Sequence, residues 1–223
     1  MKYEEICHKY CDLMGEALNQ IDFGKKEVYA NYLAQTYHYV KHSTPLLALS
    51  AGLFEYSDRK YFRRFLTHIS EENNHELLAL KDLKRLGFEI SDFPELPETK
   101  MLWEPQYYKV QNLDPLSLMG YIIPLELFAA KHLDGFLERV SKAHGEQTAS
   151  FIRVHSDEDV DHVEKAMAIL NEVDGKRKEH IVENIAQSSI SYVRFLEALD
   201  QPAVNMALLR HIKAGMDTRS LNS

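Results

Sequence analysis

In the segment FIRVHSDEDVDHVE, residues 151–164, His155, Asp159 and His162 follow one another at spacings of four and three residues. On an α-helix, such residues lie within about 60° of one another and project from one face. Imidazole nitrogen and carboxylate oxygen are ligands that suit zinc, iron or manganese. The spacing therefore predicts half of a metal site, with a solvated acidic helix face as the alternative. The remaining acids are expected to face solvent: Asp157, Glu158 and Asp161.

A second group of candidate ligands lies in HISEENNHE, residues 68–76. Glu72 and His75 are three residues apart, which is the Glu-x-x-His spacing that helical bundles use to present a carboxylate and an imidazole to a metal pair. Glu71 is four residues before His75, and His68 is one turn before Glu72, so both are alternative ligands. An exposed acid and amide face is the competing interpretation.

The third candidate is a single acidic residue, Glu126, in the otherwise uncharged run GYIIPLELFAA, residues 120–130. An ionised carboxylate is very unfavourable in an apolar interior unless it is paired or bound to a metal. Glu126 is therefore predicted to be a metal ligand. The alternatives are a neutral glutamic acid hydrogen-bonded across the core and a residue at the edge of the apolar stripe.

Together these segments offer three carboxylates and three imidazoles on three separate helices. That number of ligands is enough for two metal ions, with one carboxylate free to bridge them. Nitrogen and oxygen ligands without a cysteine favour iron or manganese over structural zinc.

The elements that carry these residues are predicted to be helical, since glycine and proline are sparse, at nine and seven residues, and apolar residues recur every three or four positions. We expect an all-α bundle of about seven helices in one domain, residues 1–223. Segment 88–113, which contains three prolines, is predicted to be a loop or lid, and residues 217–223 a frayed tail. The expected helices are 3–20, 26–41, 44–56, 57–87, 114–143 with a kink at Pro124, 146–173 and one or two more.

Composition narrows the class of protein. With 45% hydrophobic and 27% charged residues, the chain is typical of a globular domain. The net charge of -8, with scattered Lys and Arg, argues against a nucleic-acid partner. We found no apolar run of membrane-spanning length and no signal peptide, so a cytoplasmic protein without a membrane partner is expected. The two cysteines, Cys7 and Cys11, are predicted to be packed thiols, and a homodimer is the default assembly.

The order of these elements, from QTYHYVKHSTPLLALSAG through FLTHISEENNHELLALKDLKRLG and the buried Glu to H-x-x-x-D-x-x-H, resembles the heme-oxygenase-like di-iron oxidase and oxygenase family. Its superfamily also contains the TenA thiaminases and the PqqC-type oxidases. The resemblance covers roughly residues 27–165. It implies a seven-helix bundle whose labile pair of non-heme iron ions, with manganese as the alternative metal, activates dioxygen to oxidise a small organic substrate. The electron donor is unknown.

The resemblance also implies a ligand set, in which the choice between Glu71 and Glu72 stays open: Glu72, His75, Glu126, His155, Asp159 and His162. A TenA thiaminase would need a cysteine deep in the second half, and this chain has none after Cys11. A true heme oxygenase would need a proximal histidine, for which His8 is the candidate, and a glycine cluster that is missing. The alternative function is a metal-free TenA-like hydrolase or a small-molecule-binding protein on the same bundle.

Several residues on neighbouring helices are candidates to lie around the predicted metal centre. His38 and His42 are predicted either to support the ligands or contact the substrate, or else to lie half exposed at a helix end. Aromatic residues are predicted either to line a substrate pocket or simply to belong to the core: Tyr37, Tyr39, Trp103, Tyr107, Tyr121 and Phe128.

Overall fold

A computed structural model of the chain describes residues 3–200, apart from the side chains at 157–162 and 164–166. The described residues form nine α-helices and no strand, which confirms the all-α prediction. The predicted frayed tail, 217–223, lies outside the described residues. The helices are α1 Tyr3–Gln20, α2 Lys26–Val40, α3 Ser43–Leu53, α4 Arg59–Glu71, α5 His75–Arg85, α6 Pro97–Asn112, α7 Met119–His144, α8 Ser150–Glu172 and α9 Gly175–Leu199.

The prediction of one long helix over 57–87 is wrong, because the chain breaks between α4 and α5. Asn74 adopts the left-handed conformation, with a φ of 69°, and directly precedes α5. Asparagine tolerates this conformation better than most residues and is a weak helix former. The break therefore falls between Glu72 and His75, so these two candidate ligands belong to different helices.

The prediction of a loop or lid over 88–113 is also wrong, since α6 occupies most of that segment. Pro97 lies in the first turn of α6, where a missing N–H is harmless. The buried face includes Thr99 and Gln106, whose polar side chains conceal the helical periodicity of the sequence. Gln35 of α2 accepts hydrogen bonds from Thr99 Oγ1 at 2.7 Å and from the Leu96 N–H at 3.0 Å. Segment 88–113 is thereby tied to α2.

The central helix of the bundle is α7, which packs against α1, α8 and α9. Asp114 and Pro115 were predicted to begin it, and the Asp114 side chain indeed accepts from the Leu116 N–H at 2.8 Å, opening a short 3-10 turn before α7. The segment Pro115–His144 is long and apolar enough to cross a membrane, contrary to the sequence expectation, but 72% of its most apolar stretch is buried within the protein. A buried core helix explains that composition.

Close approach of α7 and α9 depends on Gly120. A Cβ atom at this position would lie 2.3 Å from the Ile181 carbonyl oxygen. No side chain larger than hydrogen fits there without moving one helix. The register of α7, which carries Glu126, is therefore set in part by this contact.

Candidate metal centre

Four helix segments meet at a group of acidic and imidazole side chains. Glu72 caps the end of α4, His75 begins α5 and His155 lies on α8. One ligand atom from each of these three residues lies within 4.8 Å of the other two. Glu126 of α7 and His155 line the same cavity as Glu72. The structure thus brings together four of the six predicted ligands, whose role as ligands stays a prediction.

His68 lies between the two carboxylates of this group. Its Nε2 atom is 3.4 Å from Glu126 Oε1 and 3.6 Å from Glu72 Oε1. His75 Nδ1 is 3.6 Å from the other oxygen of Glu72. Sequence reasoning gave His68 a lesser place than Glu72 and His75, although its position one turn before Glu72 on the same stripe was the relevant signal. We use the name "polar cluster" for His68, Glu72, His75, Glu126 and His155.

The structure distinguishes between Glu72 and Glu71 as candidate ligands. Arg64 Nη1 donates to Glu71 Oε2 at 2.8 Å, which turns that carboxylate toward α4 itself. Glu72 instead contacts His68 and His75. Of these two acids, Glu72 is the one placed to bind a metal.

Burial and the neighbouring imidazoles act in opposite directions on Glu72. Burial raises the pKa of its carboxyl group, but the contacts with His68 and His75 and the nearby charge of His155 outweigh burial, so that the pKa lies well below its usual range. Glu72 is therefore a carboxylate at neutral pH. An anionic oxygen ligand is what a divalent cation requires.

His155 is oriented by its own helix. Its Nδ1 donates to the Phe151 carbonyl oxygen at 2.8 Å, which leaves Nε2 as the lone-pair nitrogen. Metal-binding histidines are commonly held in this way, by a second hydrogen bond from the nitrogen that does not bind. The ring centroids of His155 and His75 are 5.0 Å apart.

The start of α8 is held by Asp82 of α5, a residue that sequence reasoning missed. The Asp82 carboxylate is fully buried and accepts from the Phe151 N–H at 2.8 Å and from Ser150 Oγ at 2.6 Å. Its signal in the sequence was a charged residue on the buried face of α5, beside Ala79 and Leu83. Asp82 ties the helix of His75 to the helix of His155.

The other two predicted ligands, Asp159 and His162, lie outside the described side chains. The same holds for the acids that were predicted to face solvent: Asp157, Glu158 and Asp161. The backbone of α8 is helical through all of these positions. The spacing that predicts a common face for His155, Asp159 and His162 therefore rests on an observed helix.

A cavity of about 100 Å³ adjoins the polar cluster. Its walls are mainly apolar and come from α2, α3, α7, α8 and α9. Three of the six aromatic residues predicted for a pocket line it, namely Tyr39, Tyr121 and Phe128. Tyr37, Trp103 and Tyr107 are not among the described lining residues.

His38 and His42 are half-buried and are not among the described residues that line the cavity, and their role at the site stays a prediction. His38 Nε2 donates to the Phe93 carbonyl oxygen at 3.1 Å. The His42 ring stacks on Trp103 with centroids 3.7 Å apart, and His42 Nδ1 lies 3.1 Å from the Tyr107 hydroxyl oxygen. Both histidines thus attach the end of α2 to segment 88–113.

The polar cluster fits a transition metal. Ligands bound to one ion at about 2.1 Å lie at most about 4.2 Å apart. The ligand atoms of Glu72, His75 and His155 lie within 4.8 Å of one another. These side chains would therefore need to move by only a few tenths of an ångström to bind the same ion. Imidazole and carboxylate ligands without thiolate suit iron or manganese.

Comparisons with known proteins identify the family and the fold. Residues 30–191 match the family described as iron-containing redox enzymes. A domain of unknown function from Shewanella denitrificans, with a heme oxygenase-like fold, superposes with a TM-score of 0.75 at 25% identity over 89% of each chain. A TenA homolog from Pseudomonas syringae pv. tomato gives a TM-score of 0.71 at 12% identity, over 89% of this chain and 93% of the other.

No curated protein matches the chain. The family match spans the α2 to α9 segment that contains every member of the polar cluster. The chain belongs to the family of iron-containing redox enzymes and has a heme oxygenase-like fold.

Proposed function

We propose that the protein is a non-heme di-iron oxidase or oxygenase that uses dioxygen to oxidise a small organic substrate. The observation that carries this proposal is the polar cluster, four of whose members line a mainly apolar cavity. Membership of an iron-containing redox family supports iron in particular. When bound, two ferrous ions supply the electrons that reduce dioxygen.

In this proposal, four residues of the polar cluster bind the two ions. Glu72, His75 and His155, whose ligand atoms are close together, hold one ion. Glu126, whose carboxylate lies 3.4 Å from His68 Nε2, is positioned to hold the second. Asp159 and His162 complete the ligand set in this proposal. Carboxylates suit such a centre because they change between terminal and bridging binding as the metal charge changes.

The protein around the cluster serves the reaction in two ways. Hydrogen bonding of His155 Nδ1 to Phe151 fixes the orientation of the ring and keeps Nε2 available. The apolar walls formed by residues such as Leu47, Ile122 and Phe128 exclude water from the substrate.

A TenA-type reaction that uses a cysteine has less support. Cysteine chemistry would require a thiol at the cavity, yet Cys7 and Cys11 are buried on α1 and do not line it. Burial raises the pKa of the Cys7 thiol to about 11 and that of Cys11 to about 12, so both stay protonated and unreactive.

Iron analysis after anaerobic loading with ferrous ion tests the proposal. We expect the wild-type chain to retain about two iron ions, as di-iron carboxylate bundles do. The His155→Ala and Glu126→Ala variants should each lose iron. The Asp58→Asn variant, altered far from the cluster, should retain it. A wild-type protein that binds no iron, with the fold intact by circular dichroism, overturns the proposal in favour of a metal-free binding protein.

A further inference from the structure

The hydroxyl group of Tyr121 is the feature of the cavity that the metal centre does not explain. Tyr121 lies on α7 and lines the cavity with only 4% of its surface exposed. Its hydroxyl oxygen is buried and has no hydrogen-bond partner among the described residues. Burying such a group unsatisfied is unfavourable, so a partner is expected when the cavity is filled.

Other tyrosines at the cavity differ from Tyr121 in this respect. The hydroxyl groups of Tyr32 and Tyr39 each interact with that of Tyr192. Their hydrogen-bonding capacity is thus used within the protein. Among the tyrosines that line the cavity, Tyr121 is the one whose hydroxyl is left for a ligand.

The Tyr121 hydroxyl is a hydrogen-bond donor at neutral pH. Burial raises its pKa, and the negative charge of nearby Glu72 raises it further. Tyr121 lines the same cavity as Glu72 and Glu126. An acceptor atom bound to Tyr121 would therefore share that cavity with the metal ligands.

The cavity walls restrict what the rest of the ligand can be. Apart from members of the polar cluster, the described lining residues carry no charge, so a second charged group remote from the metal would lack a counter-ion. The volume of about 100 Å³ is smaller than an apolar cavity of about 150 Å³ that accommodates benzene. These walls suit a short aliphatic or small-ring body.

We propose that Tyr121 is a substrate-binding residue, whose hydroxyl donates to a single acceptor oxygen on a small substrate with an apolar body. The acceptor is a carbonyl or carboxylate oxygen in the cavity that the metal centre adjoins. This inference deepens the proposed function and rests on it for the role of the bound molecule as substrate. A site of this kind binds zwitterions, dicarboxylates and long chains poorly.

Calorimetric titration with defined probes tests the inference. Butanone and butanoate represent the two kinds of acceptor, 2-aminobutanoate adds a second charge, and octanoate is too long. The titrations use the metal-free chain and the chain loaded anaerobically with ferrous iron. The variant is Tyr121→Phe, which removes only the hydroxyl. Tyr108→Phe is the matched control, because Tyr108 is 62% exposed on α6.

We expect butanone or butanoate to bind wild type and the Tyr108→Phe control equally, and Tyr121→Phe at least tenfold more weakly. In the wild type, 2-aminobutanoate and octanoate should bind at least tenfold more weakly than butanoate. Equal binding by Tyr121→Phe, or binding of the zwitterion or long chain as tight as that of butanoate, overturns the inference, as does failure of both short probes to bind.

Iron content measured on the same samples separates this inference from the proposed function. A wild-type chain that takes up no iron contradicts the di-iron proposal, whereas butanone binding to the metal-free chain still decides the role of Tyr121. Circular dichroism and iron content should be the same in Tyr121→Phe and wild type, which shows that weaker binding comes from the missing hydroxyl.

Discussion

Two groups of charged side chains join helices in this bundle, and the lengths of their contacts differ. Arg177, near the start of α9, donates to both oxygens of Asp58 at 2.6 and 2.7 Å and to Asp114 at 2.8 Å. We call this group the arginine clamp. In the polar cluster, the contacts of His68 with Glu72 and Glu126, and of His75 with Glu72, measure 3.4 to 3.6 Å.

The difference in length suggests a difference in role. Bonds of 2.6 to 2.8 Å to a planar guanidinium are charge-assisted hydrogen bonds with near-ideal geometry. Their partners satisfy each other, so the clamp stabilises the fold without a ligand. The longer contacts of the polar cluster leave room for an ion to come between imidazole and carboxylate. Within the cluster, the Phe151 carbonyl oxygen orients His155, and Asp82 accepts from the Phe151 N–H at the start of the same helix.

The largest effect is expected at Glu72. Replacing it by glutamine removes an anionic ligand, and we expect ferrous affinity to fall at least about 100-fold, within the range seen when metal sites are disrupted. Glu71→Gln is the matched control, since Glu71 pairs with Arg64, and it should change affinity less than about threefold, as for a partly exposed ion pair. Anaerobic titration with a chromophoric chelator as competitor measures both. An equal loss of ferrous affinity in Glu72→Gln and Glu71→Gln would contradict the assignment of Glu72, and not Glu71, as the ligand.

The arginine clamp should show the opposite response. Arg177→Ala leaves Asp58 and Asp114 without their guanidinium partner, and we expect the free energy of unfolding to fall by about 2 to 3 kcal/mol. Iron affinity should stay within about twofold of wild type, because distant sites act independently. Urea unfolding and the same competition titration give the two values. A loss of iron affinity comparable to that of Glu72→Gln would show that the two groups are not functionally separate.

Asp82 is expected to contribute both to the stability of the fold and to iron affinity. In Asp82→Asn, one acceptor for Ser150 and Phe151 is lost, and we expect the free energy of unfolding to fall by about 1 to 2 kcal/mol. Because α8 carries His155, iron affinity should fall about tenfold as well, as when residues that orient metal ligands are changed.

Asp58→Asn is the control for Asp82→Asn, as both remove a carboxylate that links helices. It should lower stability to a similar extent and leave iron affinity unchanged. The visible absorption spectrum of the cobalt-loaded protein reports ligand geometry separately from stability. An unaltered spectrum and affinity in Asp82→Asn would limit Asp82 to a structural role.

The smallest effect concerns acid stability. Hydrogen bonding to Arg177 lowers the pKa of Asp58 below its ordinary value. An unfolded aspartate titrates near about 3.9, so the contribution of Asp58 is complete above about pH 5 and is lost as pH falls through that value toward the folded pKa. The stability difference between wild type and Asp58→Asn should therefore shrink by about 1 kcal/mol between pH 6 and pH 3. A difference that stays constant in urea titrations over this range would contradict the assignment.

The parts of the fold that could be predicted from sequence are those with apolar helical periodicity. The all-α class followed from that periodicity, and the buried position of Glu126 followed from its apolar surroundings, since it is 8% exposed. The helix α6 could not be predicted in this way. Its buried face uses Thr99 and Gln106, whose partners lie on other helices and are distant in sequence.

The candidate site shows the same limit. The spacing of Glu72 and His75 was visible in the sequence, but the break at Asn74 that sets their directions was not. The choice between Glu71 and Glu72 depended on Arg64, seven residues before Glu71. Asp82 acts through the backbone of Phe151, and a contact between residues 69 positions apart leaves no local pattern.

Anomalous X-ray diffraction at the iron absorption edge, on crystals grown anaerobically with ferrous ion, tests the central claim most directly. The account predicts two peaks inside the bundle, one within ligand distance of Glu72, His75 and His155 and the second beside Glu126. A single peak would refute the di-iron assignment. Absence of any peak at the polar cluster in iron-containing crystals would contradict the account as a whole.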